Sequence, residues 1–353
     1  MARATQIIHE DATWLAERLA PDLQRLAGKT VLLTGASGFL GSAVLDWLAA
    51  WNRQADRPCR VLALDNARVG LDERVAHLIG RPDIEFRVQD VATPFDPGEP
   101  IHAIFHAAGI ASPTFYRRYP LETIDVNVQG TRNLLELCRT HPVEAMLHLS
   151  TSEIYGDPSP EAIPTREDYR GFVSCTGPRA CYDESKRLSE TLCILYHQQY
   201  GVPVRVGRPF NVYGPGQRLD DRRIVPDLLA TALEGKPLTL LSDGQATRSF
   251  CYLRDAVWAM GLIWLRGADG EAYNLGSDAE EVAMVEVARR VAALAGGLVV
   301  EHRTSEDRHY TVDNPQRRCP DLSKLKALAP YEPAVGLTAG LERTLRSYQQ
   351  ERA

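Results

Sequence analysis

The stretch Val31-Leu32-Leu33-Thr34-Gly35-Ala36-Ser37-Gly38-Phe39-Leu40-Gly41 leads from an apolar strand into a glycine-punctuated turn, and the helical spacing of Val44, Leu45, Leu48 and Trp51 follows at once. Strand, glycine turn and helix in that order suit a dinucleotide, because glycines let backbone N–H groups approach a pyrophosphate at the positive end of the helix. Gly35, Gly38, Phe39, Leu40 and Gly41 are therefore assigned to that contact. The next apolar strand, residues 60–64, ends at Asp65. A carboxylate at that point accepts from a ribose 2′-OH and repels a 2′-phosphate, so NAD is expected in preference to NADP.

Further strands are expected at 84–88, closing on Asp90 and Val91 as an adenine contact, and at 103–109, where the small residues Ala107 and Ala108 let backbone pass close to a cofactor. Two long helical patterns, 120–138 and 182–200, flank a strand at 145–149, and β and α elements alternate up to residue 206. That alternation gives an α/β fold: a Rossmann-type, doubly wound parallel sheet with a smaller C-terminal substrate-binding lobe. Residues 1–28 are expected to add an N-terminal helical extension, with apolar positions from Ile8 to Leu26 ending at Gly28. Residues 29–208 form the NAD-binding domain and 209–353 the lobe, with segments such as 272–274 returning to the main sheet.

The chain has 353 residues and a formal net charge of −6, which gives no general reason to expect nucleic acid or an anionic membrane as partner. Residues 1–6 lack an apolar leader segment and no run is long enough to span a bilayer, so the protein reads as cytoplasmic. The seven cysteines are scattered and form no C-x-x-C pair, which argues against a disulfide framework or a metal site.

The chemistry is carried by Ser150-Thr151-Ser152-Glu153 at the end of the 145–149 strand and by Tyr182-Asp183-Glu184-Ser185-Lys186. A Tyr and a Lys four residues apart share one helix face, so the ammonium can stabilise the phenolate and leave Tyr182 as a general base near neutral pH. Such a pair alone is often only a helix surface. Its place after the glycine turn, the acidic strand end and the Ser-Thr-Ser-Glu strand end is what marks it as catalytic.

These features resemble the extended short-chain dehydrogenase/reductases that act on nucleotide sugars, over nearly the whole chain from Lys29 to about Tyr348. The look is closest to the UDP-glucuronate decarboxylases, through 111–116, 150–158, 177–187 and 315–321. The resemblance implies Tyr182 and Lys186 as base and helper, both also touching the cofactor, and Thr151 as the hydroxyl that orients a sugar 4-OH. Ser152 and Glu153 match a pair that decarboxylases carry, and Arg318 matches an arginine implicated in decarboxylation. Ser112, Pro113 and Tyr116 fall on the substrate side, while Asn211, Arg218 and Arg248 fall where relatives hold the nucleotide diphosphate. A homodimer is implied as well, through the two long helices, by Ile124, Val128, Leu134, Leu135, Leu188, Leu192 and Leu195. The resemblance implies redox-neutral chemistry through a 4-keto sugar, most simply conversion of UDP-glucuronate to UDP-xylose. A 4,6-dehydratase or an epimerase is the alternative, and a catalytically silent NAD-binding scaffold the non-enzymatic one. Residues 169–175 depart from the decarboxylase pattern and are expected to line the substrate side.

Overall fold

The computed structural model describes residues 5–68, 73–303 and 315–352, so the reading of residues 1–6 falls partly outside the described residues. Helix α1 (Gln6–Arg18) precedes strand β1 (Thr30–Thr34), the glycine turn and helix α2 (Phe39–Asn52). Strands β2 (Arg60–Asp65), β3 (Ile84–Val88), β4 (Ala103–His106), β5 (Ala145–Leu149), β6 (Val204–Pro209) and β7 (Ala272–Leu275) complete the central sheet. Its order is β3-β2-β1-β4-β5-β6-β7, all parallel, which is the doubly wound arrangement with its switch point between β1 and β4. β1 and β5 are buried along their whole length, as strands covered on both faces must be, and are mostly apolar, with the buried His148 of β5 bonded to Ser189 Oγ at 3.0 Å.

β4 stops at His106, three residues before the expected end. Gly35, at φ +68, brings its backbone so close to the next segment that a Cβ there would sit 2.7 Å from the carbonyl of Ala107. Ala107 to Gly109 thus leave the sheet to make room for the glycine turn. The single leader helix expected from the sequence also breaks. α1 ends at Arg18, and a short turn of helix Ala20–Leu23 restarts with Pro21 in its first turn, where a missing N–H costs nothing.

The pattern over 120–138 is helical but not uniform: Pro120–Asp125, a π-helical turn Val126–Gly130, and Thr131–Thr140. The π turn faces Asn127 toward helix α3 (Ala180–Tyr200), where its amide donates to Ser185 Oγ at 2.9 Å. Of the residues expected to face a partner, Leu134 and Leu135 are fully buried against the protomer's own sheet, whereas Ile124, Leu188 and Leu195 are exposed.

After β6 the chain builds a second apolar cluster from Ile224–Leu233, Met284–Leu294 and Leu337–Arg352, among others. Beside it a small sheet pairs Thr247–Ser249 with Arg317–Arg318 in parallel, setting Arg318 directly opposite Arg248. Helix α4 (Leu253–Arg266) returns to cover the central sheet. α1 bridges both parts: Asp11 accepts from Tyr252 Oη at 2.6 Å and from Arg343 at 2.8 Å, while Trp14 meets Trp258 edge-on at 5.6 Å.

Candidate active site

All the site residues named from the sequence line one cavity of about 1560 Å³ at the carboxyl ends of the strands. One wall is the glycine turn. Gly41 lies so close beneath it that a Cβ would stand 2.0 Å from Gly35 O, which explains why only glycine fits there. Phe39 and Leu40 open α2 next to Gly38, and Ala107 and Ala108 close the floor. Asp65 Oδ2 accepts from Ser37 N at 3.0 Å and Oδ1 from Ala67 N at 3.1 Å, so the carboxylate is fixed against the turn. Asp90 and Val91 line the same end, with Asp90 Oδ1 accepting from Ala92 N at 2.9 Å.

This wall fits a dinucleotide. The backbone comes close where a pyrophosphate must lie, and two buried polar atoms, Asn127 Oδ1 and Ser150 Oγ, have no hydrogen-bond partner within the protein. Asn127 Oδ1 and Lys186 Nζ converge on Gly109, where a Cβ would lie 3.1 and 3.4 Å from them. Asn127 was not legible from the sequence, because its direction depends on the π turn.

Tyr182 and Lys186 lie on the inner face of α3. Tyr182 is stacked on Tyr116, ring centroids 5.3 Å apart, and hydrogen-bonds with Thr151, whose Oγ1 also accepts from Glu153 N at 3.2 Å. Lys186 Nζ donates to Leu149 O at 2.8 Å, and burial pulls its pKa down to about 8. Burial pushes the Tyr182 phenol up to about 12, opposed by the Thr151 hydrogen bond and the Arg223 charge. Arg223, another residue the sequence reading passed over, is held by its bond to Ala111 O at 2.7 Å.

Opposite Tyr182 stands Glu153. Arg318 Nη1 and Nη2 donate to its two oxygens at 2.5 and 2.6 Å, and Arg179 grips the same carboxylate from the start of α3. Burial alone would raise this acid, but the charges of Arg179 and Arg318 prevail and hold it far below the usual carboxylate range. Glu153 is thus held as an anion at neutral pH. Arg248 is buried beside the pair and donates to Thr247 O at 2.7 Å and Pro315 O at 2.6 Å; burial, then the Arg318 charge, lowers its pKa to about 9. Ser152 lies in the same turn and lines the cavity. Arg179 could have been found in the sequence only as the residue one turn before Tyr182.

Ser112, Pro113, Tyr116, Asn211 and Arg218 line the remaining wall. Asn211 Nδ2 donates to Ser249 O at 2.9 Å, and Arg218 is paired with Asp220 at 2.7 Å near the Phe115 ring. Residues 169–175, by contrast, lie off the cavity. Tyr169 turns inward onto Tyr155 and Phe172 is exposed.

Residues 31–276 match the model of the NAD dependent epimerase/dehydratase family. The chain belongs to that family. Its cofactor is NAD. The chain is 38% identical over 324 residues to UDP-glucuronic acid decarboxylase 1 of Xenopus tropicalis, covering 92% of this chain and 73% of that one. It is 40% identical over 312 residues to UDP-glucuronic acid decarboxylase 3 of Arabidopsis thaliana, covering 88% and 86%. Among solved structures it is similar to dTDP-glucose 4,6-dehydratase of Streptomyces venezuelae with NAD bound, at TM-score 0.78 and 26% identity over 92% of this chain and 98% of that one. It is also similar to UDP-glucuronic acid 4-epimerase of Bacillus cereus in complex with UDP-glucuronic acid and NAD, at TM-score 0.76 and 26% identity over 91% and 99%.

Proposed function

We propose that this protein converts UDP-glucuronate to UDP-xylose by decarboxylation through a 4-keto sugar. The observation that carries the reading is the buried cluster in which Arg179 and Arg318 hold the Glu153 carboxylate, with Arg248 beside them, lining the same cavity as Tyr182. Guanidinium groups lining the cavity offer donors in the fork geometry that a substrate carboxylate accepts, and the two decarboxylase relatives support a hexuronate as the substrate.

Bound NAD supplies a two-electron acceptor that takes a hydride from C4 and later returns it. Tyr182 takes the proton of the 4-OH, with Thr151 holding the same oxygen in place. With a ketone at C4, cleavage of the C5–C6 bond sends its electron pair into an enolate, and carbon dioxide leaves. The Tyr182 and Thr151 hydroxyls stabilise the enolate oxygen. C5 then takes a proton from water, and as the hydride returns to C4 Tyr182 gives its proton back to O4. Glu153 keeps Arg179 and Arg318 in position and, as a neighbouring negative charge, disfavours the substrate carboxylate relative to neutral carbon dioxide. A 4,6-dehydratase needs an acid at C6 to help water leave, and Ser152, beside Glu153 in the same turn, has no carboxyl group to supply it.

The test is to incubate purified protein with UDP-glucuronate and read product mass and evolved carbon dioxide. A product lighter by carbon dioxide is expected; an unchanged mass with inverted C4 would make it an epimerase and overturn the proposal.

The chain is also proposed to act as a homodimer. Leu121 and Ile124 on one helical run and Leu188, Leu195 and Tyr200 on α3 are exposed on neighbouring elements, and a second copy related by a two-fold axis would cover them. Light scattering at micromolar concentration is expected to give twice the chain mass, and a monomer would refute it. Among the described residues no helix is long and apolar enough to cross a membrane.

A further inference from the structure

Glu153 sits on a single 3-10 turn, Ser152–Tyr155, that belongs to no sheet. The turn is held by Arg187, which donates to Ile154 O at 2.9 Å, by Phe172 N, which donates to Tyr155 O at 3.0 Å, and by a buried polar hub centred on the fully enclosed Tyr155 side chain. The Tyr155 hydroxyl donates to Asn274 Oδ1 at 2.7 Å and accepts from Arg208 Nη1 at 2.7 Å. Arg208, on β6, is in turn paired with Glu190 through Nε at 3.0 Å and Nη2 at 2.6 Å. Glu190 lies on α3, one turn beyond Lys186 and two beyond Tyr182. Asn274, on β7, uses its amide to hold Thr165 O at 2.9 Å and Asp321 O at 3.1 Å. Thr165 pairs with the segment that follows Arg318, through Thr165 N to Cys319 O at 2.8 Å and Asp321 N to Thr165 O at 2.9 Å.

The hub therefore joins the helix that carries Tyr182 and Lys186, the turn that carries Glu153, and the strand end that carries Arg318. We propose that it sets the distance between the Tyr182 hydroxyl and the Glu153–Arg318 pair, with Tyr155 and Asn274 acting as positioning residues for the bond-breaking step. The physical ground is that both functions of the phenol, donor and acceptor, are used, so its rotation and the turn's register are fixed together. An apolar side chain of the same shape would fill the space without naming one geometry. An error of about 1 Å in such a placement costs on the order of a hundred-fold in rate. The proposal rests on the decarboxylase reading.

Tyr155→Phe keeps the ring that packs on Tyr169 and Phe210 and removes only the hydroxyl. The Arg208–Glu190 pair remains to hold α3, so formation of the 4-keto sugar from UDP-glucuronate is expected to stay within about three-fold of wild type. Carbon dioxide release is expected to fall roughly ten- to hundred-fold, with the 4-keto acid accumulating. Asn274→Ala is expected to give the same imbalance and serves if Tyr155→Phe fails to fold. A role confined to stability would lower both steps in proportion to the folded fraction, or neither, and either result overturns the proposal. Calorimetry separates this from failure of the decarboxylase reading. If wild type binds UDP-glucuronate but releases no carbon dioxide, that reading falls. The positioning claim then still requires Tyr155→Phe to lose affinity for UDP-glucuronate, about ten-fold, while affinity for UDP is unchanged; equal affinities would overturn it.

Discussion

Replacing Glu153 by Gln keeps the shape of the side chain and deletes the one carboxylate that Arg179 and Arg318 share. At an effective dielectric of about 20, opposite charges about 4 Å apart attract by about 4 kcal/mol, and two such pairs are lost. Part of that sum had been offset by desolvation of the carboxylate, which the amide no longer suffers. What remains is the cost of leaving Arg318 buried without the Glu153 charge, Arg179 keeping Asp183 at 3.7 Å, about 3–5 kcal/mol. Urea unfolding in low-salt buffer is expected to show a loss of that size, partly recovered by added sulfate or by UDP-glucuronate, each of which brings an anion to the cluster. In the same variant, Tyr182 and Thr151 are untouched, so the 4-keto sugar should still form while carbon dioxide release drops. Unchanged stability, or a stability loss that no anion relieves, would refute the argument that Glu153 is a charge lock. Equal loss of both chemical steps would refute its assignment to the second one.

Tyr182→Phe is expected to abolish formation of the 4-keto sugar, by roughly a hundred-fold or more, while NAD still stabilises the protein against heat. A variant that forms the ketone at the wild-type rate would remove Tyr182 from the first step. Asp65→Ala should narrow the preference for NAD over NADP and weaken NAD itself, since Ser37 N and Ala67 N lose their acceptor; thermal shift with each nucleotide reads both effects. Asp227 is pushed up from 3.8 to about 6, chiefly by burial. Its folded pKa lies above the unfolded one, so the penalty for charging it is fully present above pH about 6 and gone below about 4. Asp227→Asn should therefore stabilise by about 1 kcal/mol after screening at pH 7.5 and by nothing at pH 4, and a gain that does not depend on pH would contradict the shift.

Local sequence was enough for the nucleotide half of the site. A glycine that must adopt positive φ, a glycine that admits no Cβ, a strand-end Asp and a Tyr-Lys pair one helical turn apart all act over a few residues, so their spacing is their geometry. The parallel sheet followed from the β and α alternation for the same reason. The π turn at Asn127, the break before Pro21 and the early end of β4 were not legible, because each depends on what the neighbouring backbone leaves room for. Charge was the larger omission. Spacing alone shows neither the burial that raises the Tyr182 phenol nor the two arginines that hold Glu153 as an anion. Arg318 and Arg179 meet at Glu153 from positions 165 residues after it and 26 residues after it, and Arg318 meets Arg248 across a strand pairing. The sequence by itself determined which groups could take part, since their chemistry and short-range spacing are written in the chain. Only the tertiary structure decided their charge states and partners, because desolvation and Coulomb forces depend on what lies nearby in space and not on what lies nearby along the chain.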